Sequence, residues 1–180
     1  MVKYSVEIRE ITKTYLDEIW NLRQNIMNEL KSTSAIQKLG SFAPWYLLEH
    51  SKEDLQNLRH FGAIRRSQII SVASFGDIKE NKDAYEILKD KGKKMVLGRL
   101  FCTLENYRNS DIMRHVHYVA ENQYADEGVE YLAGVVMEPY TLSRQMMKSF
   151  GYKEEGEYSY KLPNGDNVNK IVYGKEITGR

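Results

Sequence analysis

Residues 96–150 read VLGRLFCTLENYRNSDIMRHVHYVAENQYADEGVEYLAGVVMEPYTLSRQMMKSF. The segment begins with a short apolar run (96–104), which stops at the polar cluster 105–110. The next apolar side chains recur at the spacing of a helix face, which is typical of an amphipathic helix: Ile112, Val116, Val119, Ala120 and Tyr124. Gly128 suits the end of that helix. The pattern therefore predicts a strand, a turn and a long helix.

The rest of this segment predicts a second strand and a second helix. Residues 130–137 are rich in strand-forming side chains, and Pro139 suits the first turn of the helix that follows. In that helix the spacing predicts an apolar face formed by Leu142, Met146 and Phe150, with the helix ending at residue 151.

The flanking sequence extends this pattern to the order βααβββαβαββ. We expect a first strand over 2–11, a helix capped by Thr14, a loop over 31–43 and a helix over 44–59. Strands follow at 61–66 and 68–75, a small helical insertion at 81–91, and a hairpin at 153–162 and 168–177 turning at the Asn-Gly pair 164–165. This order predicts one α/β domain over 1–180, with a mixed central sheet of about seven strands flanked by about four helices.

Composition narrows the function classes. Hydrophobic residues make up 42% and charged residues 28% of the chain, which is ordinary for a soluble globular protein. The net charge of +1 gives no reason to expect nucleic acid or an anionic membrane as a partner. The single cysteine excludes an internal disulfide and a cysteine zinc site. With no leader segment and no apolar run of ~20 residues, we expect a cytoplasmic protein.

Two motifs resemble the GNAT acyltransferase superfamily. Residues 107–113 (YRNSDIM) resemble its acyl-CoA pyrophosphate loop, which typically reads Arg or Gln, two variable residues, Gly, one variable residue, then Gly or Ala. Residues 142–152 (LSRQMMKSFGY) resemble its second helix, which usually closes with Gly-Phe or Gly-Tyr. Asp111 and Met113 replace the small residues of the loop, and Met147 replaces a tyrosine general acid. The element order is also that of GNAT proteins, so the resemblance is to a divergent member and covers nearly the whole chain.

The resemblance implies an N-acyltransferase that moves an acetyl or longer acyl group from acyl-CoA to an amine. The pantetheine arm would pair with the backbone of Phe101, Cys102 and Thr103. A helix N-terminus favours an anion, so the pyrophosphate would lie on residues 108–114: Arg108, Asn109, Ser110, Asp111, Ile112, Met113 and Arg114. The Asp111 carboxylate would either repel the ligand or turn away to cap the helix.

Acyl transfer to an amine requires a base, a stabilised oxyanion and an acid. Glu105, at the end of the central strand, is the candidate base, with Glu130 and Glu138 as alternatives. Tyr140 is the candidate acid because Met147 cannot donate a proton. An exposed glutamate and a packing tyrosine remain the alternative interpretations. No metal is expected, since two histidines two residues apart on a helix (115 and 117) face different directions.

A weaker resemblance concerns the acyl-homoserine-lactone and N-acyl amino acid synthases. Leu22-Arg23 resembles the arginine on their first long helix, and residues 98–101 (GRLF) resemble their run of Gly or Ser, Arg, a hydrophobic residue and Phe. This implies that Arg23 and Arg99 line a substrate pocket and that an acyl carrier protein is an alternative donor. Arg23 could instead extend to the helix edge. The acidic residues of the lactone synthases have no clear counterpart here.

A second class of function stays open. The departures from the GNAT loop and from the usual acid also fit a GNAT-like domain without turnover, which binds a small molecule or a protein. The sequence is compatible with a monomer or with a homodimer paired through the final hairpin.

Overall fold

The computed structural model describes residues 5–32, 51–108, 110–161 and 165–178. We number the strands and helices over this part of the chain. The strands are β1 (Glu7–Ile11), β2 (Arg59–Arg65), β3 (Gln68–Asp77), β4 (Met95–Thr103), β5 (Tyr131–Met137), β6 (Lys153–Lys161) and β7 (Asn167–Glu176). The helices are α1 (Leu16–Ser32), α2 (Lys52–Gln56), α3 (Lys82–Leu88), α4 (Ile112–Asp126) and α5 (Thr141–Ser149).

The seven strands form one mixed sheet in the order β1-β2-β3-β4-β5-β7-β6. Strand β4 pairs with β5 in parallel. The pairs β1/β2, β2/β3, β5/β7 and β6/β7 are antiparallel. The mixed α/β fold and its seven strands are therefore confirmed. The short helix α3 is the insertion that the sequence predicts before the central strand.

The chain divides into two compact units, residues 1–75 with 100–120, and residues 76–99 with 121–180. The core of the first unit joins apolar side chains of α1 to the strands, including Ile19, Leu22, Ile26, Val72 and Leu100. In the second unit, the apolar face of α3 packs with strand residues: Ala84, Leu88, Leu97, Tyr131 and Val172. One domain over 1–180 remains a prediction.

The predicted helix over 44–59 is wrong in two places, because Ser51 has an extended backbone and the helix stops before residue 59. Helix α2 ends at Gln56, and Arg59 already belongs to β2. A capping box fixes the start of α2, because Ser51 and Asp54 bond each other's backbone N–H groups. Arg59 is held in the sheet by two hydrogen bonds to the Glu10 carboxylate, at 2.7 and 2.8 Å. Residues 33–50, which include the rest of the predicted helix and most of the loop, lie outside the described part.

The first strand and first helix also begin later than predicted. Strand β1 begins at Glu7, and residues 1–4 lie outside the described part. Thr14 does not cap α1, because it lies inside a 3₁₀ turn, Lys13–Tyr15, and its hydroxyl lies 2.7 Å from that of Thr12. The helix begins after this turn, at Leu16.

The predicted apolar face of α5 is wrong. Pro139 precedes the helix, which begins at Thr141 because the chain first turns through a hydrogen bond from Tyr140 N to Met137 O. Leu142 is 80% exposed, whereas Met147 is 1% exposed. Met146 and Phe150 are half-buried. Met147 is therefore part of the core.

Candidate active site

The central strand leaves its parallel partner partway along its length. Within the second unit, β4 pairs with β5 from Met95–Tyr131 to Gly98–Gly134. Arg99 is thus the first residue of β4 beyond this pairing, and the strand continues to Thr103.

Arg99 has a buried polar group without an acceptor. Its side chain is half-buried, and its Nε–H is inaccessible to solvent and meets no hydrogen-bond acceptor in the described part of the chain. A buried donor without an acceptor costs about 1–3 kcal/mol. The Nε–H of Arg99 is therefore an uncompensated polar group at the point where β4 leaves β5.

Beyond Arg99, β4 alternates between the core and a more open face. Leu100 and Cys102 are buried in the core of the first unit. Phe101 and Thr103 are half-buried. The Phe101 ring contacts the His117 ring of α4, with centroids 6.2 Å apart, and the Phe75 ring at 5.7 Å. His117 therefore lies among aromatic rings.

Cys102 is a core residue. Burial raises the pKa of its thiol to about 12, although the positive charges of Arg23 and Arg108 act in the opposite direction. The thiol is therefore protonated at neutral pH, and only the backbone at this position is available for ligand contacts.

The end of β4 is fixed by hydrogen bonds within the first unit. Leu104 N donates to Ile70 O at 2.9 Å. The Thr103 and Ser71 hydroxyl oxygens lie 2.9 Å apart. Arg108 Nε donates to Thr103 O at 3.1 Å, so this side chain folds back over the strand end. Glu105 begins the 3₁₀ turn Glu105–Tyr107, with an exposed side chain.

The start of α4 carries both a polar cap and a charge pair. Ser110 Oγ donates to Tyr107 O at 2.5 Å and accepts from Ile112 N at 3.5 Å. The Asp111 carboxylate lies 3.7 Å from Arg114 Nε, with both side chains exposed. Arg114 therefore offsets part of the negative charge of Asp111. Ile112 and Met113 are half-buried, and Asn109 lies outside the described residues.

Arg23 does not extend to the helix edge, so that alternative is wrong. Its side chain is 3% exposed, and its guanidinium carbon lies 5.1 Å from the centre of the Trp20 ring. Because a buried charge needs compensating contacts, the Trp20 ring is one of the groups that stabilise this guanidinium.

The candidate residues divide between the two units. The first contains Arg23, residues 101–103, Glu105, Arg108 and the start of α4. The second contains Arg99 and Tyr140, with the alternatives Glu130 and Glu138, both exposed. Tyr140 is half-buried at the start of α5, where its carbonyl accepts from Arg144 N at 3.0 Å.

The structure adds residues that the sequence analysis missed. Arg65 Nη1 donates to the Tyr107 hydroxyl at 3.0 Å, beside the turn that follows β4. The imidazole of His60 is buried between Ser74 Oγ, at 2.7 Å, and Leu55 O, at 2.9 Å. An arginine at the end of a strand, such as Arg65, is only a weak signal of a functional residue. An isolated histidine such as His60 is no signal.

Two further observations concern the described residues as a whole. No group of histidine, cysteine, aspartate and glutamate side chains among them could hold a metal ion. None of their helices is long and apolar enough to cross a membrane.

Comparison with solved structures identifies the fold. NAA60 of Arabidopsis thaliana, crystallised with a bisubstrate analogue, has a TM-score of 0.70 and 14% identity over 98% of this chain and 100% of that one. An N-acetyltransferase of Staphylococcus aureus has a TM-score of 0.64 and 13% identity over 96% of this chain and 98% of that one. The ribosomal-protein-S18-alanine N-acetyltransferase of Escherichia coli has a TM-score of 0.63 and 11% identity, covering 98% and 96%.

The fold is therefore that of the GNAT N-acetyltransferases, which confirms the resemblance seen in the sequence. NAA60 has also been crystallised with acetyl-CoA. No protein-family model matches the sequence, and no curated protein matches it. None of the structural matches above is an acyl-homoserine-lactone or N-acyl amino acid synthase, so that weaker resemblance gains no support from them.

Proposed function

We propose that this protein is an N-acyltransferase that moves an acyl group from an acyl-thioester to an amine. The observation that carries the proposal is the end of the β4–β5 pairing at Gly98, while β4 continues to Thr103. Backbone beyond this point is suited to pair with an extended, amide-containing ligand, as a strand does. The pantetheine arm of an acyl donor is such a ligand, and the neighbour NAA60 binds acetyl-CoA.

The turn after β4 would hold the donor's phosphates. The N-terminus of α4 favours an anion through its helix dipole, and Arg108 and Arg114 are positively charged. The pairing of Asp111 with Arg114 supports this assignment, because it weakens the repulsion that the carboxylate would otherwise exert. An acyl carrier protein, whose prosthetic arm ends in the same pantetheine thiol, is the alternative donor.

The reaction would join the acceptor nitrogen to the acyl carbon and break the carbon–sulfur bond. Glu105 would take the proton that the amine loses, and Tyr140 would donate a proton to the departing thiolate. Arg23 and Arg99 are the candidate residues for binding the acceptor.

Calorimetric titration with acetyl-CoA, followed by a long-chain acyl-CoA, tests the donor. Micromolar binding, together with release of the donor's thiol in the presence of a panel of amines, is the expected result. Arg108→Ala should weaken donor binding, whereas Arg9→Ala, at a side chain paired with Glu7 on β1, should not. Failure of acyl-CoA and acyl carrier protein alike to bind would contradict the proposal.

One observation favours a second candidate, a GNAT-like domain that binds without turnover. Met147 is buried at the position of the usual acid, and an added Cβ on Gly134 would lie 2.3 Å from the Met147 Cε. This candidate predicts donor binding without thiol release for any amine tested.

A further inference from the structure

Arg65 lies at the turn between β2 and β3, in the first unit. Arg66 and Ser67 both have left-handed backbone angles, with φ of 51° and 62°, as a tight hairpin turn requires. The hydrogen bond from Leu104 N to Ile70 O joins β3 to the segment that follows β4. This arrangement sets the hairpin beside the 3₁₀ turn that contains Tyr107.

Tyr107 holds the Arg65 guanidinium in two ways. The tyrosine hydroxyl accepts a hydrogen bond from Nη1 at 3.0 Å, and the guanidinium carbon lies 5.7 Å from the ring centroid. These contacts restrict a side chain that is otherwise flexible. Among the described residues, the guanidinium makes no other hydrogen bond, so it keeps donors for an external acceptor.

Comparison with Arg9 shows what Arg65 lacks. Arg9 also stacks on a tyrosine, with its guanidinium carbon 5.6 Å from the Tyr15 ring centroid, but its Nε contacts the Glu7 carboxylate at 2.8 Å. Arg59, on the same strand as Arg65, is likewise paired with Glu10. Arg65 has no carboxylate partner in the described part of the chain. Its charge is fixed in position and is not neutralised.

We propose that Arg65, positioned by Tyr107, binds a phosphate group of the acyl donor. A guanidinium presents a planar fork of N–H groups that matches phosphate oxygens. Arg65 contacts Tyr107 from the end of β2, and Arg108 immediately follows Tyr107, so both arginines lie at the turn that follows β4. The inference rests on the proposed function, because it takes the donor to be a phosphate-bearing thioester such as acyl-CoA or a phosphopantetheine arm.

Titration of the full chain with three ligands tests this role: CoA, dephospho-CoA, which lacks the 3′-phosphate, and pantetheine, which lacks every phosphate. Arg65→Ala should weaken CoA binding about 10- to 100-fold, the usual effect of losing a charged hydrogen bond. Tyr107→Phe should weaken it less, because the ring remains. Arg9→Ala is the matched control and should leave affinity unchanged.

The ligands distinguish which phosphate is bound. If Arg65 contacts the 3′-phosphate, Arg65→Ala should weaken binding of CoA but not of dephospho-CoA. If Arg65 contacts the pyrophosphate, the substitution should weaken binding of both ligands. Two results would overturn the assignment while leaving the proposed function intact. One is equal CoA affinity in wild type and Arg65→Ala; the other is a loss of affinity for pantetheine as large as the loss for CoA. Arg65→Lys, which keeps the charge but not the fork, separates loss of binding from loss of folding.

A titration with inorganic pyrophosphate separates the two proposals. If wild type binds none of the three ligands but binds pyrophosphate in an Arg65-dependent manner, the phosphate site stands and CoA is excluded as the donor. Absence of pyrophosphate binding as well would overturn the assignment of Arg65, and binding of acyl carrier protein would then decide the proposed function.

Discussion

The side chain of Met147 packs directly against the backbone of Gly134, so closely that a Cβ on the glycine would lie 2.3 Å from the Met147 Cε. This contact joins α5 to β5 within the second unit. The Met147 side chain, which is 1% exposed, therefore fills the core of this unit.

Met147→Ala should therefore destabilise the protein by about 2–5 kcal/mol, the usual cost of truncating a buried methionine. Leu142→Ala, on the same helix but at an 80% exposed side chain, should change the free energy of unfolding by less than about 0.5 kcal/mol. Urea denaturation of the two variants measures the difference. A similar loss in the free energy of unfolding for both variants would mean that α5 packs through the face that carries Leu142.

The error over α5 shows what periodicity can and cannot predict. Successive residues of a helix differ by about 100° in direction, so the choice between Met146 and Met147 as the central apolar position rotates the face by one such step. The long helix α4 was predicted well, because its stripe continues over many turns: Val116, Ala120 and Tyr124 are buried. The short α5 offers too few turns to fix its phase.

The site is less predictable than the fold for a related reason. Local motifs located the turn after β4, but the partners of its side chains come from distant parts of the chain. Arg65 and Tyr107 are 42 residues apart in sequence, and Asp111 pairs with Arg114 within one helical turn. A sequence pattern predicts the second kind of contact and gives no information about the first.

Glu105→Gln should lower the rate of acyl transfer at least tenfold and leave donor affinity unchanged, if Glu105 is the general base. The substitution preserves shape and removes only the ability to take a proton, and the side chain is exposed, so folding should not be affected. Steady-state thiol release and a donor titration measure the two quantities. Glu157→Gln, at an exposed position on β6, is the control, and an unchanged turnover for Glu105→Gln would remove the base assignment.

His60 should make stability depend on pH. Burial lowers the pKa of this imidazole below its ordinary value of 6.5, although the hydrogen bond to Leu55 O acts in the opposite direction. A carbonyl can only accept, so Nε2 carries the proton and Nδ1 accepts from Ser74 Oγ.

As pH falls below about 6.5, the unfolded chain binds a proton at His60 that the folded chain does not. The neutral His60 side chain thus makes its full contribution to the free energy of unfolding above pH 6.5. This contribution is lost as the pH falls toward the lowered pKa, by at most about 1.4 kcal/mol per pH unit. Urea denaturation between pH 5 and 8 measures the slope. His60→Gln should remove this part of the slope, and the exposed control His115→Gln should keep it; identical slopes in all three proteins would contradict the assignment.

Cys102 should be nearly inert in the folded protein. With a thiol pKa of about 12, only about one molecule in ten thousand carries the reactive thiolate at pH 8, and burial blocks access as well. An aromatic disulfide reagent should therefore label the single thiol of the chain slowly in buffer, at a rate limited by unfolding. In denaturant the same reagent should label it completely. Ser159→Cys, at an exposed position on β6, should add one rapidly labelled thiol. Rapid native labelling of the unmodified sequence would show that β4 opens to solvent at Cys102, which the packing of this residue beside α1 does not allow.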